Sequence, residues 1–356
     1  MKKKWLFIPL LSLFVLALLA LGVLLICTVT AYSPSRISAP EAYGMPQEKL
    51  AGNQINLITW NLGYGGLDAQ TDFLLDGGSM SHPRSLEAVA QNHDAFVKWL
   101  REANADALFL QEVEKSSART WNYPGTRTLQ EALTGYASWF APNFRSPFVP
   151  FPLSQPLGRI DSGIMTFSQF ATTGAERHQL PGSYPWPIHV FHLKRCALVV
   201  RLPSDRPGRD WILINLHLSA YDSGGTLRSA QLAYVKELIQ KYAAEGHDVV
   251  VGGDWNSLFP GVSRNQFPNY STTEENLYWV QRIPDDFTPE GWTWAYDPNS
   301  STCRSLDAPY QTGENYECII DGFLLSPGLQ IDSIKGENLG YVNSDHNPVR
   351  LTVSRK

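Results

Sequence analysis

Short apolar runs recur along this chain, and many of them meet a polar residue at one end. Runs at 55–60, 107–111, 162–166, 196–202, 211–216, 249–253, 319–325 and 349–353 have the length and composition of strands. Two longer segments behave differently. Across 84–103 and 227–244 apolar residues fall at three and four spacing, so helices are expected there, the second with Thr226 as its cap. Eight or more strands with few long helices do not fit strict strand–helix alternation. The pattern favours a two-sheet sandwich with helices outside. With no internal repeat or change of composition after residue 55, one folded domain is expected, spanning 55–356.

The first residues follow another rule. Lys2, Lys3 and Lys4 precede an uncharged, Leu-rich stretch from Trp5 to Ala31, whose 5–26 portion would be about 33 Å long as a helix, enough to cross a bilayer. The lysines should stay in the cytoplasm. Residues 1–31 are therefore expected to form a cytoplasmic stub and transmembrane anchor, with the rest of this single-pass protein outside the cell membrane. Small residues at Val29-Thr30-Ala31 leave signal-peptide cleavage open, which would make the protein secreted. Residues 32–54, rich in Pro, Ser, Gly and Ala and without period, read as a linker.

Composition sharpens this picture. A hydrophobic content of 43% over 356 residues supplies a substantial core and excludes a disordered chain. Beyond residue 31 there remain 26 basic against 34 acidic side chains, a net charge of −8. Such a body gains little from phosphate-backbone contacts, which argues against a DNA-gripping protein. Four cysteines are too few for a disulfide framework and none has zinc-site spacing. Cys303 and Cys318 flank a turn-rich segment, either as a bridge or as two reduced thiols.

The polar residues at the run ends carry the chemistry. They are Asn61, Glu112, His217, Asp254, Asn256, Asp321, Asp345 and His346. Carboxylates with amide support suit a hard cation, Mg²⁺ with Mn²⁺ or Ca²⁺ as alternatives, rather than Zn²⁺, and leave the imidazoles for proton transfer. Such a set suits attack of water on phosphorus.

On these residues the chain resembles the endonuclease/exonuclease/phosphatase superfamily, which includes deoxyribonuclease I and the neutral sphingomyelinases. Thr59-Trp60-Asn61, Leu110-Gln111-Glu112-Val113, Asn215-Leu216-His217, Gly253-Asp254-Trp255-Asn256, Ile320-Asp321-Gly322 and Ser344-Asp345-His346-Asn347-Pro348 stand in the family's order. The resemblance implies a four-layered α/β sandwich, two packed mixed sheets flanked by helices. It also implies roles: Asn61, Glu112 and Asp345 at the metal, Asp254 on the attacking water, and Asn256 on the phosphate. His346 would meet the scissile phosphate with its second nitrogen oriented by Asp321. His217 matches the deoxyribonuclease and sphingomyelinase branches.

Each residue alone has a plain structural explanation: Glu112 as a surface ion pair, His217 as a core imidazole, Asp254-Trp255-Asn256 as an Asx turn. Two aromatic, Pro-rich stretches, 139–152 and 181–192, show no sustained period and read as loops that either touch substrate or lipid or pack on each other. Trp186, Phe191 and Arg145 are the substrate-binding candidates from them. The resulting expectation is a Mg²⁺-dependent phosphoesterase acting on a lipid-linked phosphodiester outside the membrane. An extracytoplasmic nuclease on DNA or RNA is the alternative, and an inactive binding module is the alternative outside enzymes. Nothing in the sequence points to a protein partner.

Overall fold

Apolar runs buried on both faces build two sheets of seven strands each. The computed structural model describes residues 2–45, 47–220, 222 and 224–356, with side chains from Ile8 onward. The first eight strands are β1 (Ile37–Ser38), β2 (Glu41–Tyr43), β3 (Gln54–Asn61), β4 (Ala107–Glu114), β5 (Ala137–Val149), β6 (Gly158–Ser168), β7 (Gly174–Gln179) and β8 (Cys196–Leu202). Then come β9 (Trp211–His217), β10 (Asp248–Asp254), β11 (Thr293–Ala295), β12 (Cys303–Arg304), β13 (Glu317–Cys318), β14 (Asp321–Leu325), β15 (Leu329–Gly336) and β16 (Val349–Arg355). The helices are α1 (Lys2–Val29), α2 (Leu86–Ala103), α3 (Gly125–Ala132) and α4 (Thr226–Ala244).

One sheet runs β1-β7-β8-β9-β10-β14-β11 and the other β15-β16-β3-β4-β6-β5-β2, while β12 and β13 form a small ribbon. Both large sheets are mixed: β3 pairs parallel to β4 and β9 parallel to β10, with antiparallel neighbours beyond. Successive strand residues point to opposite faces. Leu57, Phe109, Leu213, Val250 and Phe323 fill the space between the sheets. Ile58 and Leu108 point the other way, against Phe96 and Leu100 of α2. Val249 and Val251 likewise meet Val235, Leu238 and Ile239 of α4. The result is the expected four-layered sandwich.

Helix α2 starts at Ser85, whose hydroxyl accepts from the Ala88 amide. For α4 the expected cap is displaced: Thr226 is already helical, and the Asp222 carboxylate accepts the Arg228 amide instead. The stretch expected as a loop at 139–152 belongs largely to β5, the longest strand. Its prolines are tolerated for a physical reason. β2 covers only residues 138–140, so Pro142 and Pro147 lie where β5 is an edge, beside two register shifts. Residues 181–192 do form a loop, with one short helical turn at Ile188–Phe191. The 32–54 stretch is pinned rather than loose, because β1 pairs with β7, β2 with β5, and Ala51 is buried against Ser204. Helix α1 contains one segment, Ile8–Val29, long and apolar enough to cross a membrane or to serve as a signal sequence.

Candidate active site

Topology brings the polar ends together. Parallel strands β3, β4, β9 and β10 deliver their C-terminal ends to one edge, and the antiparallel β14 and β16 deliver their N-terminal ends to the same edge. Asp254 at the end of β10 is in register with His217 on one side and Asp321 on the other. Asn61 closes β3 opposite Gln111. One residue on, β4 shifts register and Glu112 takes a positive φ of 52°, a bulge that turns its side chain into the cleft. Beneath this floor the Gln111 amide donates to Asn215 across the two sheets at 2.8 Å. A paired polar layer of this kind fixes how the sheets meet.

Asp254 is the hub. Its Oδ2 accepts from Asn61 Nδ2 at 3.0 Å and lies 3.2 Å from His217 Nε2 and 3.8 Å from His346 Nε2. Its Oδ1 accepts the Asn256 amide at 2.9 Å, which closes an Asx turn with Asn256 at φ 47°. The Asn256 side chain donates to Leu218 O at 2.9 Å. On the far side of His346, Nδ1 sits 2.8 Å from Asp321 Oδ2, and the Trp60 indole donates to the His346 carbonyl at 2.9 Å. Ser344 Oγ donates to Asn61 O at 2.8 Å, tying the Asp345-His346 segment to β3.

The electrostatics separate the two imidazoles. Burial opposes charge on His346, yet the carboxylates of Asp321 and Asp345 hold it well above the usual histidine range. His217 is driven well below that range by burial and by the positive charges of Arg195 and His346. The site therefore favours the cationic form of His346 and the neutral form of His217. Asp254 is pushed up to about 6 by burial and by Asp321. Asp345 is pushed up to about 6 by burial and by Glu112, with His346 and Arg304 pulling the other way. Crowded carboxylates of this kind call for a positive charge among them.

That donor set fits a hard divalent cation. Asp254, Asp321 and His346 bring three ligand atoms within 4.8 Å of one another, close enough to hold a metal ion. Their spacing has a second cause, because a cationic His346 donates from Nδ1 to Asp321 at 2.8 Å and attracts Asp254, whose Oδ2 lies 3.8 Å from Nε2. Glu112, Asn61 and Asp345 line the same cleft and offer further oxygen ligands, with Asp345 Oδ2 4.0 Å from His346 Nε2.

The cleft has a volume of about 500 Å³. Its floor is polar, and much of its wall is apolar, including Leu67, Phe73, Phe144, Phe151 and Phe191. Of the three substrate candidates from the aromatic stretches, only Phe191 lines it. Trp186 is 52% exposed and donates from its indole to Thr28 Oγ1 at 3.2 Å. Arg145 lies outside the cleft, because it is held between Glu41 at 3.1 Å and Asp161 at 3.0 Å on the β2–β5–β6 edge. Cys303 and Cys318 are free thiols at directly paired positions. The sequence reading missed Arg119, which reaches the cleft from a short turn after β4, pairs with buried Glu114 and lies 3.8 Å over the Tyr64 ring. Its signal was weak, since Glu114 and Arg119 fit neither strand nor helix period.

Comparison with known proteins agrees with this geometry. Residues 58–307, well over half of the chain, match the model of the Endonuclease/Exonuclease/phosphatase family. An endonuclease/exonuclease/phosphatase from Beutenbergia cavernae DSM 12333 superposes with a TM-score of 0.57 at 19% identity, covering 85% of this chain and 72% of that one. The catalytic domain of human nocturnin, solved with a bound sulfate anion, gives 0.52 at 17% identity over 89% of this chain and 98% of that one. TDP2 of D. rerio in complex with a single-strand DNA product gives 0.52 at 15% identity, with 85% and 99% covered. At such identities the structural likeness is one of fold. No curated protein matches the sequence.

Proposed function

The chain belongs to the endonuclease/exonuclease/phosphatase family, metal-dependent hydrolases of phosphoester bonds, and from that premise we propose that it cleaves a lipid-linked phosphodiester outside the cytoplasmic membrane. The observation that carries this reading is a single cleft whose floor holds carboxylates and two differently charged imidazoles while its walls are apolar. The floor suits a phosphoryl centre. The walls suit a substrate with hydrocarbon attached.

In the proposed mechanism, Asn61, Glu112 and Asp345 would hold Mg²⁺, with Mn²⁺ or Ca²⁺ as substitutes. When bound, the cation neutralises negative charge that develops on the phosphoryl oxygens. Asp254 accepts the proton of the attacking water, and a carboxyl raised to about 6 is well matched to that role near neutral pH. Asn61 and neutral His217 hold Asp254 in place through its Oδ2. His346 keeps its Nε2 proton toward the phosphoryl oxygens while Asp321 fixes the ring from behind; as the water oxygen bonds to phosphorus, the opposite ester P–O bond breaks and the departing oxygen takes a proton from solvent. Asn256 holds the phosphate in line.

The apolar N-terminal segment and the net charge of −8 beyond it support a membrane-held enzyme over a secreted nuclease. Nucleic acid is the rival substrate, because one structural neighbour carries a DNA product. The test is a side-by-side assay of the full-length protein at equal salt on phospholipid vesicles, single- and double-stranded DNA, RNA and inositol phosphates. Lipid turnover well above the rest is expected. Rapid DNA or RNA cleavage with no lipid turnover would replace the lipid reading with the nuclease one.

A further inference from the structure

The exposed apolar residues outside α1 are not scattered evenly. Phe148 is 44% exposed, Phe151 52% and Leu153 87%, all at the tip joining β5 to β6. Trp186 and Ile188, each 52% exposed, stand on the neighbouring 181–192 loop. No Asp, Glu, Lys or Arg occurs in 146–158 or in 181–193, although the body around them is acidic. Exposed surface with large apolar side chains and no charge marks an interaction site rather than ordinary solvated surface.

Two contacts say what covers it. The Trp186 indole donates to Thr28 in the last turn of α1, so this loop sits level with the outer end of the apolar segment Ile8–Val29. That level is the membrane–water interface, where tryptophan is favoured. The chain after the helix has little freedom to carry the domain away: Tyr32 lies beneath Arg145 and Arg177, at 5.4 and 5.7 Å, and β1 and β2 pair with the two sheets directly afterwards. Phe151 and Ile188 belong both to this rim and to the wall of the catalytic cleft.

We infer that the β5–β6 tip and the 181–192 loop dip into the outer surface of the lipid bilayer, so that the cleft opens onto the membrane and takes its substrate from it. This rests on α1 spanning the membrane. Phe148, Leu153 and Trp186 anchor the mouth, and Phe151 and Ile188 continue the apolar surface inward to the catalytic floor. The arrangement makes the hydrocarbon part of the substrate enter along a path without exposure to water.

The test uses the full chain in phosphatidylcholine–phosphatidylglycerol vesicles, with Leu153→Cys labelled by an environment-sensitive fluorophore and nitroxide-bearing lipids as quencher. The four native cysteines are buried, and the unsubstituted protein carried through the same labelling gives the background. Asp205→Cys is the control. It lies in the β8–β9 turn, at the opposite end of a strand from His217 and roughly 20 Å away. Several-fold stronger quenching at 153 than at 205 is expected. Equal quenching in protein that floats with the vesicles would overturn the docking alone, and protein that does not float would overturn the span beneath it as well. A second measurement reads function: Phe148→Asp with Leu153→Asp should lower vesicle hydrolysis at least tenfold and leave bis-p-nitrophenyl phosphate hydrolysis unchanged. Equal losses on both substrates would overturn the proposal.

Discussion

Replacing Asp321 by Asn keeps the shape of the buried dyad and removes the charge that holds the proton on His346. Asp321 is fully buried, and its Oδ2 lies 2.8 Å from His346 Nδ1. Hydrogen bonds to charged groups contribute about 1.5–3 kcal/mol. At about 1.4 kcal/mol per pH unit, losing this one lowers the His346 pKa by about one to two units. Burial, which already opposes the charge, then acts against fewer compensating carboxylates. The assay is hydrolysis of bis-p-nitrophenyl phosphate at saturating Mg²⁺ from pH 5.5 to 9.5, with kcat and the Mg²⁺ activation constant followed separately. In Asp321→Asn, kcat at pH 7.5 should fall about a hundredfold, within the range for positioned acid–base groups. The alkaline limb should move about one to two pH units toward acid, with Mg²⁺ activation unchanged. Stability carries the same sign. A raised folded-state pKa contributes stability that is fully present below the unfolded value of about 6.5 and is lost as pH rises through the folded value. The substitution should therefore lower the melting temperature more at pH 6 than at high pH. An alkaline limb and kcat close to wild type would refute the proton role of His346, and a loss reversed by extra Mg²⁺ would show that Asp321 serves the metal instead.

Two further predictions concern the scaffold. Glu114 is fully buried and paired with Arg119, so Glu114→Gln leaves a buried cation uncompensated and should cost about 3–5 kcal/mol in denaturant unfolding; a loss below about 1 kcal/mol would mean that water reaches the pair. His93, stacked on Tyr123 and held by burial down to about 4, stays neutral in the fold while the unfolded chain takes up a proton near 6.5. Stability should thus fall as pH drops from 6.5 toward 4, by on the order of 3 kcal/mol from this residue. His93→Phe should flatten that part of the melting-temperature profile, and an unchanged profile would reject the assignment.

The strand ends were legible because burial on both faces makes the central strands near-continuous apolar runs, and Asn61, His217 and Asp254 stand out where those runs stop. The meeting of Asp321 and Asp345-His346 with them depends on antiparallel pairing, which puts the start of β14 and β16 beside the end of β10 and β3. Periodicity could not reveal that. β5 was hidden by prolines tolerated only because its outer part is an edge. Arg145 stood as a substrate candidate because its partners, Glu41 and Asp161, are 104 and 16 residues away in sequence.

Everything proposed for this cleft depends on metal-dependent phosphoester hydrolysis at the floor built on Asp254. Its most direct test is hydrolysis of bis-p-nitrophenyl phosphate by the purified full-length protein with Mg²⁺, with excess chelator, and after Asp254→Asn. Activity should be restored by Mg²⁺ or Mn²⁺ after chelation and fall at least about a hundredfold in the variant. Full activity in excess chelator, or in folded Asp254→Asn protein, would contradict it.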